Sequence, residues 1–137
     1  LNGNGENTKE IRNRIKKYTS KIKIFETIYN PINIKRLKTN DNYLIFSGIG
    51  SPKTFEKTLT INKINVVKSI VFPDHYQYTN DDIKKIKHLA KNLKTKILTT
   101  EKDFMRIKKN KKDIKFIKIG LLIKNKKRLI SFLKENL

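Results

Sequence analysis

Phe72-Pro73-Asp74-His75-Tyr76-Gln77-Tyr78-Thr79 is the stretch on which the reading of this chain turns. An apolar run (Val66, Val67, Ile70, Val71) ends where it begins, and Thr79 followed by Asp81 and Asp82 signals a helix where it stops. The octapeptide therefore reads as a strand-to-helix loop, the place where open α/β sheets keep their chemistry. Pro73 fixes its own φ and drives Phe72 into an extended conformation, which stiffens the entry. Asp74 and His75 follow directly on that support. A carboxylate beside an imidazole could orient the ring, bind a cation or tune a proton acceptor, because histidine titrates nearest neutral pH. The same pair could instead satisfy backbone groups in a polar turn.

Outward from this loop, strands and helices alternate. Tyr43 to Ser47 reads as a short buried strand, followed by Gly48-Ile49-Gly50, with Ser51 as N-cap and Pro52 at the first helical position. Phe55, Thr58 and Leu59 face the core from that helix, and Asn65 to Phe72 forms the next strand. Thr79 and Asp82 make a capping box for a helix whose apolar face carries Ile83, Ile86, Leu89, Ala90 and Leu93. A strand at Lys96 to Thr99 runs into Thr100-Glu101-Lys102-Asp103 and a short helix with Phe104, Met105 and Ile107. Lys115 to Ile119 alternates as a strand, Gly120 punctuates it, Leu121 to Ile123 adds a short strand, and Leu129, Ile130, Phe132 and Leu133 line a closing helix. This order predicts an α/β fold, a mostly parallel sheet flanked by helices. The loops after Ser47, Phe72 and Thr99 then emerge on one rim.

Upstream, Leu1 to Gly5 reads as a loop, and Thr8 caps a helix from Lys9 to Tyr18 with Ile11 and Ile15 on one face. Ile22 to Tyr29 and Ile32 to Leu37 alternate with period two around Pro31, which predicts two short strands forming a β connector. Lys38 to Asn42 is polar and turn-rich, which places a domain boundary between residues 1–42 and 43–137.

The chain has 137 residues and no cysteine, so disulfides and thiolate metal sites are excluded. Residue 1 is leucine and the single methionine is Met105, so the expectation is a fragment or a processed chain. No apolar run approaches the roughly 20 residues of a membrane-spanning helix. The formal net charge of +21 invites a nucleic-acid reading. Yet lysine far outnumbers arginine and accompanies abundant isoleucine and asparagine, all with A/T-rich codons, so a genome-wide bias accounts for the excess. Nucleic-acid surfaces favour arginine, whose planar fork matches phosphates and guanine edges, and no nucleic-acid partner is expected. The charge still draws the protein towards anionic membranes or phosphorylated substrates.

Two further motifs share the rim. Gly48-Ile49-Gly50-Ser51-Pro52 could offer backbone N–H groups to a phosphate at a helix start, but it lacks the spacing of a dinucleotide fingerprint or a P-loop. The simpler reading is a tight turn in which Gly48 and Gly50 supply positive φ. Thr100, Glu101, Lys102 and Asp103 either cap a helix with a weak surface ion pair or bring a phosphate-binding lysine and an acidic group to the rim. His88 lies on a lysine-rich face, exposed and without a role.

In order and spacing, Gly-Ile-Gly-Ser-Pro-x-x-Phe, Phe-Pro-Asp-His-Tyr-x-Tyr-Thr and Leu-Thr-Thr-Glu-Lys-Asp together resemble the C-terminal half of the tetraacyldisaccharide 4'-kinases, the lipid A 4'-kinases. The resemblance runs from Tyr43 to Ile107 and more loosely upstream. It implies a P-loop-type kinase that transfers the γ-phosphate of ATP, with Mg2+, to the 4'-hydroxyl of a lipid A disaccharide precursor at the cytoplasmic face of the bacterial inner membrane. By the same resemblance a larger N-terminal domain carries the Walker lysine, the magnesium ligands and the catalytic aspartate, and a smaller C-terminal α/β domain brings its Asp-His loop to the cleft. The positions carried over are Asp74 and His75, with His75 in the proton-accepting pair and Asp74 holding its ring. Thr100 to Asp103 match a second loop. Ser51 departs from the family's usual asparagine, one N-cap for another. These residues contain no Walker A sequence and no magnesium-binding acidic pair, so the expectation is a partial kinase, inactive alone. The competing class is a basic module for nucleic acid or anionic lipid.

Overall fold

The run Tyr43-Leu44-Ile45-Phe46 is apolar at every position, which suits a strand covered on both faces. The computed structural model, which describes residues 8–137, makes it the centre of a sheet. The loop expected at Leu1 to Gly5 lies outside the described residues. Strand β1 (Thr27–Pro31) follows helix α1 (Thr8–Tyr18), and β2 (Asn42–Ser47) contains the central run. Then come α2 (Pro52–Ile61), β3 (Asn65–Val71), α3 (Asn80–Asn92), β4 (Lys96–Thr100), α4 (Glu101–Arg106), β5 (Ile114–Ile117), β6 (Ile119–Ile123) and α5 (Lys126–Glu135). The main sheet has the order β3-β2-β4-β5 with every pair parallel, as the alternation of elements predicts.

Period-two alternation along β2 divides the core. Leu44 and Phe46 point to one side and pack with Tyr78, Ile83, Ile86, Ala90, Ile97 and Ile107, so α3 covers that face. Tyr43 and Ile45 point to the other and pack with Phe55, Leu59, Ile64, Leu98 and Ile117, which places α2 opposite. Thr99, buried on β4, donates from Oγ1 to the Phe46 carbonyl at 2.7 Å, so its hydroxyl is satisfied.

The connector departs from expectation. β1 is one strand, and in place of a second at Ile32 to Leu37 there is a 3-10 turn, Ile34–Arg36. Ile34 and Leu37, three apart, meet the second core cluster, a spacing that one such turn provides and an alternating strand does not. At Lys118 the sheet ends. The Lys118 amide donates to Asn33 Oδ1 at 2.8 Å, Asn33 Nδ2 donates to the Phe116 carbonyl at 2.9 Å, and the Ile32 amide donates to the Lys118 carbonyl at 2.9 Å. With those groups engaged, β5 stops at Ile117, and β6, which includes Gly120, pairs with β1 as a separate two-stranded antiparallel sheet.

Contacts divide the described chain into two compact units. One runs to Asn30 and resumes at Ile119; within it Glu26 is held by Arg12 and by Lys124 Nζ at 2.9 Å, and Phe25 packs on Phe132. The other is continuous, Pro31–Lys118, and contains the parallel sheet.

α3 begins with the capping box anticipated at Thr79 and Asp82. The Asp82 amide donates to Thr79 Oγ1 at 3.1 Å, and the Thr79 amide donates to Asp82 Oδ2 at 2.9 Å. Thr79→Ala is expected to cost about 1 kcal/mol in denaturant unfolding. The Thr79 hydroxyl, and then its amide and the Tyr76 hydroxyl, hold the Asp82 carboxyl below its ordinary range against a smaller opposing effect of burial. A carboxyl depressed in the folded state contributes stability above its unfolded value, about pH 4, and loses it as pH falls through the folded value. Unfolding midpoints measured along an acid series should therefore fall less steeply for Asp82→Asn than for the parent.

Candidate functional site at the carboxyl rim of the parallel sheet

Parallel pairing sends β2, β3 and β4 out at one edge. Ser47 is level with Val71, and Phe46 with Thr99, so the loops after them start side by side. The Asp-His loop is sewn to the glycine loop through the main chain. The Phe72 amide donates to the Ser47 carbonyl at 2.8 Å, and the His75 amide donates to the Gly48 carbonyl at 3.1 Å. The Tyr76 amide closes the turn on the Pro73 carbonyl at 3.2 Å. His75 itself has φ of 61°, the left-handed region where histidine is tolerated better than most residues but still costs energy.

The two glycines serve a different purpose from the one read from sequence. Neither Gly48 nor Gly50 lies in the positive-φ region; what they provide is close approach. A Cβ on Gly48 would stand 2.9 Å from the Pro73 carbonyl oxygen and 3.1 Å from the Tyr78 hydroxyl. One on Gly50 would stand 3.2 Å from Asp74 Oδ2.

Four rings support the Asp-His loop from below. Phe72 packs against Tyr76 (4.8 Å between centroids) and Tyr78 (5.2 Å), and Tyr78 meets the edge of Phe46 (5.3 Å). Such pairs add about 0.5–1.5 kcal/mol each beyond buried area. Tyr76 also donates from its hydroxyl to Asp82 Oδ2 at 3.2 Å, which joins the loop to the start of α3 and raises the phenol's pKa. The buried Tyr78 hydroxyl finds no hydrogen-bond partner among the described residues; burial first, then the Asp103 carboxylate, push its pKa far above the ordinary value.

Thr100 to Asp103 separate into inward and outward pairs. Thr100 caps α4, accepting from the Asp103 amide at 3.1 Å and donating to Asp103 Oδ2 at 2.7 Å. The Asp103 side chain is wholly buried. Glu101 faces outward and lies 3.5 Å from Lys118 Nζ, while Lys102 is exposed.

Arg106, which sequence reasoning missed, brings the three loops together. Its Nη1 donates to the Gly48 carbonyl at 2.9 Å and to Asp103 Oδ1 at 3.2 Å, and its Nη2 lies 3.2 Å from His75 Nδ1. The available signal was its chemistry: an arginine three residues after an aspartate on a helix, in a chain that otherwise favours lysine. Asp74 Oδ2 is 3.8 Å from His75 Nε2, beyond hydrogen-bond range, and Asp74 Oδ1 accepts from the His75 amide at 2.9 Å. The His75 side chain is 73% exposed. His88 is exposed on α3, away from these contacts. No three acidic, imidazole or thiol groups gather as a metal set among the described residues. Gly48→Ala is expected to cost about 1–3 kcal/mol by overpacking against backbone. Gly50→Ala should cost less in the same unfolding measurement, because the Asp74 side chain it meets can turn aside.

A family model described as tetraacyldisaccharide-1-P 4'-kinase matches residues 2–137. The tetraacyldisaccharide 4'-kinase of Pelagibacter ubique (strain HTCC1062) is 42% identical over 130 residues, which cover 94% of this chain and 41% of that protein. Its namesake in Rickettsia bellii (strain OSU 85-389) is 38% identical over 86 residues, 63% of this chain and 27% of the relative. That of Rickettsia akari (strain Hartford) is 34% identical over 116 residues, 85% of this chain and 34% of the relative. The chain thus spans less than half the length of these curated relatives, and no solved structure matches it. With the family match extending over both units and all three rim loops, the chain belongs to the tetraacyldisaccharide-1-P 4'-kinase family.

Proposed function

We propose that this chain is the C-terminal part of a lipid A 4'-kinase, and that its Asp74–His75 loop forms one wall of the reaction centre. The enzyme transfers the γ-phosphate of ATP to the 4'-hydroxyl of tetraacyldisaccharide 1-phosphate. The observation that carries this reading, beside family membership, is the mounting of His75. Its side chain is exposed at the sheet's carboxyl rim while its backbone is held in the left-handed region by neighbouring loops. Strain of this kind persists where the surroundings enforce it, and it clusters at sites of function.

Phosphoryl transfer is chiefly positioning and electrostatics, and Mg2+, when bound, neutralises charge on the phosphates. The P-loop and the magnesium ligands come from the rest of the kinase, and this chain contributes a rigidly mounted imidazole with a carboxylate beside it. Gly48, Gly50, Thr100 and Asp103 shape and hold that mounting, whereas Glu101 and Lys102 face outward within reach of substrate or nucleotide. The protein works peripherally at the cytoplasmic face of the inner membrane. No helix among the described residues is long and apolar enough to cross a membrane, and the net charge of +21 favours an anionic surface.

The test is phosphate transfer from ATP to tetraacyldisaccharide 1-phosphate, comparing this chain with the full reading frame that carries it. Activity is expected in the latter alone. There His75→Ala should lower turnover by about a hundredfold or more with little change in the KM for ATP. Unchanged turnover in a folded variant would remove His75 from the reaction.

A further inference from the structure

Arg106 does more than tie loops together. A guanidinium carries only donors and stays charged at any relevant pH, so whatever it hydrogen-bonds must present a lone pair. Its Nη2 lies 3.2 Å from His75 Nδ1. That nitrogen can accept only if it carries no hydrogen, which leaves the ring proton on Nε2. The alternative tautomer would point an N–H at another N–H beside a positive charge.

The guanidinium has little freedom to turn away. Nη1 is engaged by the Gly48 carbonyl at 2.9 Å and by Asp103 Oδ1 at 3.2 Å, and the side chain is only 14% exposed. Asp103, which anchors it, is fully buried and held in turn by Thr100. The Gly48 carbonyl also receives the His75 amide, so backbone and ring of His75 are referenced to the same fixed group. On the ring's far side, Asp74 Oδ2 stands 3.8 Å from Nε2, too far to occupy it. Nε2 therefore remains available to an incoming oxygen.

We propose that Arg106 is a positioning residue that holds His75 as the neutral Nε2–H tautomer, so that His75 meets the reacting groups as a hydrogen-bond donor to an anionic oxygen. The inference rests on the reading that places His75 at the reaction centre, and it changes what His75 does there. His75 keeps its proton through turnover, and the proton of the attacking hydroxyl passes to a carboxylate elsewhere in the kinase. The anionic oxygen is either that carboxylate's or a phosphoryl group's; both are acceptors for the same N–H.

Amide side chains separate donor from base. The glutamine amide nitrogen reaches about where Nε2 sits, the asparagine amide about where Nδ1 sits, and neither accepts a proton at neutral pH. In the full reading frame, His75→Gln should retain turnover within about tenfold of the parent, while His75→Asn and His75→Ala fall about a hundredfold or more, as for loss of one oriented donor. A glutamine variant as slow as the alanine variant would overturn the donor role. If His75→Ala leaves turnover unchanged, the placement of His75 at the reaction fails, and the tautomer measurement judges Arg106 separately.

That measurement is long-range proton–nitrogen NMR of nitrogen-15-histidine-labelled protein, with His88 assigned through His88→Gln and used as the reference for an exposed ring. His75 should show a pyridine-like Nδ1 and a protonated, pyrrole-like Nε2, more completely than His88 does. Arg106→Met should move it to the His88 pattern, and Arg106→Lys should return it part of the way. A parent His75 with the same tautomer mixture as His88 would overturn the inference. Should Arg106→Met fail to fold because Asp103 loses its partner, the parent spectrum alone decides.

Discussion

A carboxylate removed from water must be matched, and Asp103 is removed from it completely. The match has two parts, and each reaches something else. Thr100 supplies a hydroxyl and by doing so begins α4. The Asp103 amide completes that cap. Arg106 supplies the counter-charge, and its remaining donors reach the glycine loop and the Asp-His loop. Breaking such a pair by removing one member costs about 3–5 kcal/mol, because the survivor is stranded. The rim is thus organised from beneath, by a charge buried away from solvent.

The contrast with the rest of the charge inventory is instructive. The chain has 33 basic residues against 12 acidic ones, and on its surface several carboxylates pair with a lysine. Lys96 reaches Asp41 at 2.5 Å, Lys118 lies 3.5 Å from Glu101 and Lys84 lies 3.4 Å from Asp81. Pairs as open as the last two contribute about 0–1 kcal/mol and order little. At Asp103, the one wholly buried carboxylate among the described residues, the partner is an arginine, whose planar fork can serve several acceptors at fixed angles where an ammonium cannot.

Much of this was legible in the sequence because it is local. The parallel sheet follows from apolar runs alternating with capped amphipathic segments, and Thr79 with Asp82 announced the start of α3 to the residue. The rim followed from the topology, since parallel strands deliver their following loops to one edge. What was not legible depends on contacts distant in sequence. Arg106 acts across 31 positions to His75 and 58 to Gly48, and no spacing rule reports that. The glycines were read by their commonest use, positive φ, when the reason for them lay in the Pro73 carbonyl of another loop. The strand expected at Ile32 to Leu37 failed for a related reason: Ile32 and Ile34 stand two apart as in a strand, but Ile34 and Leu37, three apart, are drawn together into a core that the window could not see.

Asn33 gives the parallel-sheet unit an unusual seam. Its side chain, with the Ile32 amide, joins the first residues of Pro31–Lys118 to the last, so the segment enters and leaves at one point with its two ends hydrogen-bonded to each other. A unit whose ends already meet can be lifted from one host chain and set into another without spanning a gap. In recombination or in engineering, residues 31–118 form a cassette: the three loops and the buried charge that organises them travel together, and only the two chain crossings at the seam have to be rejoined.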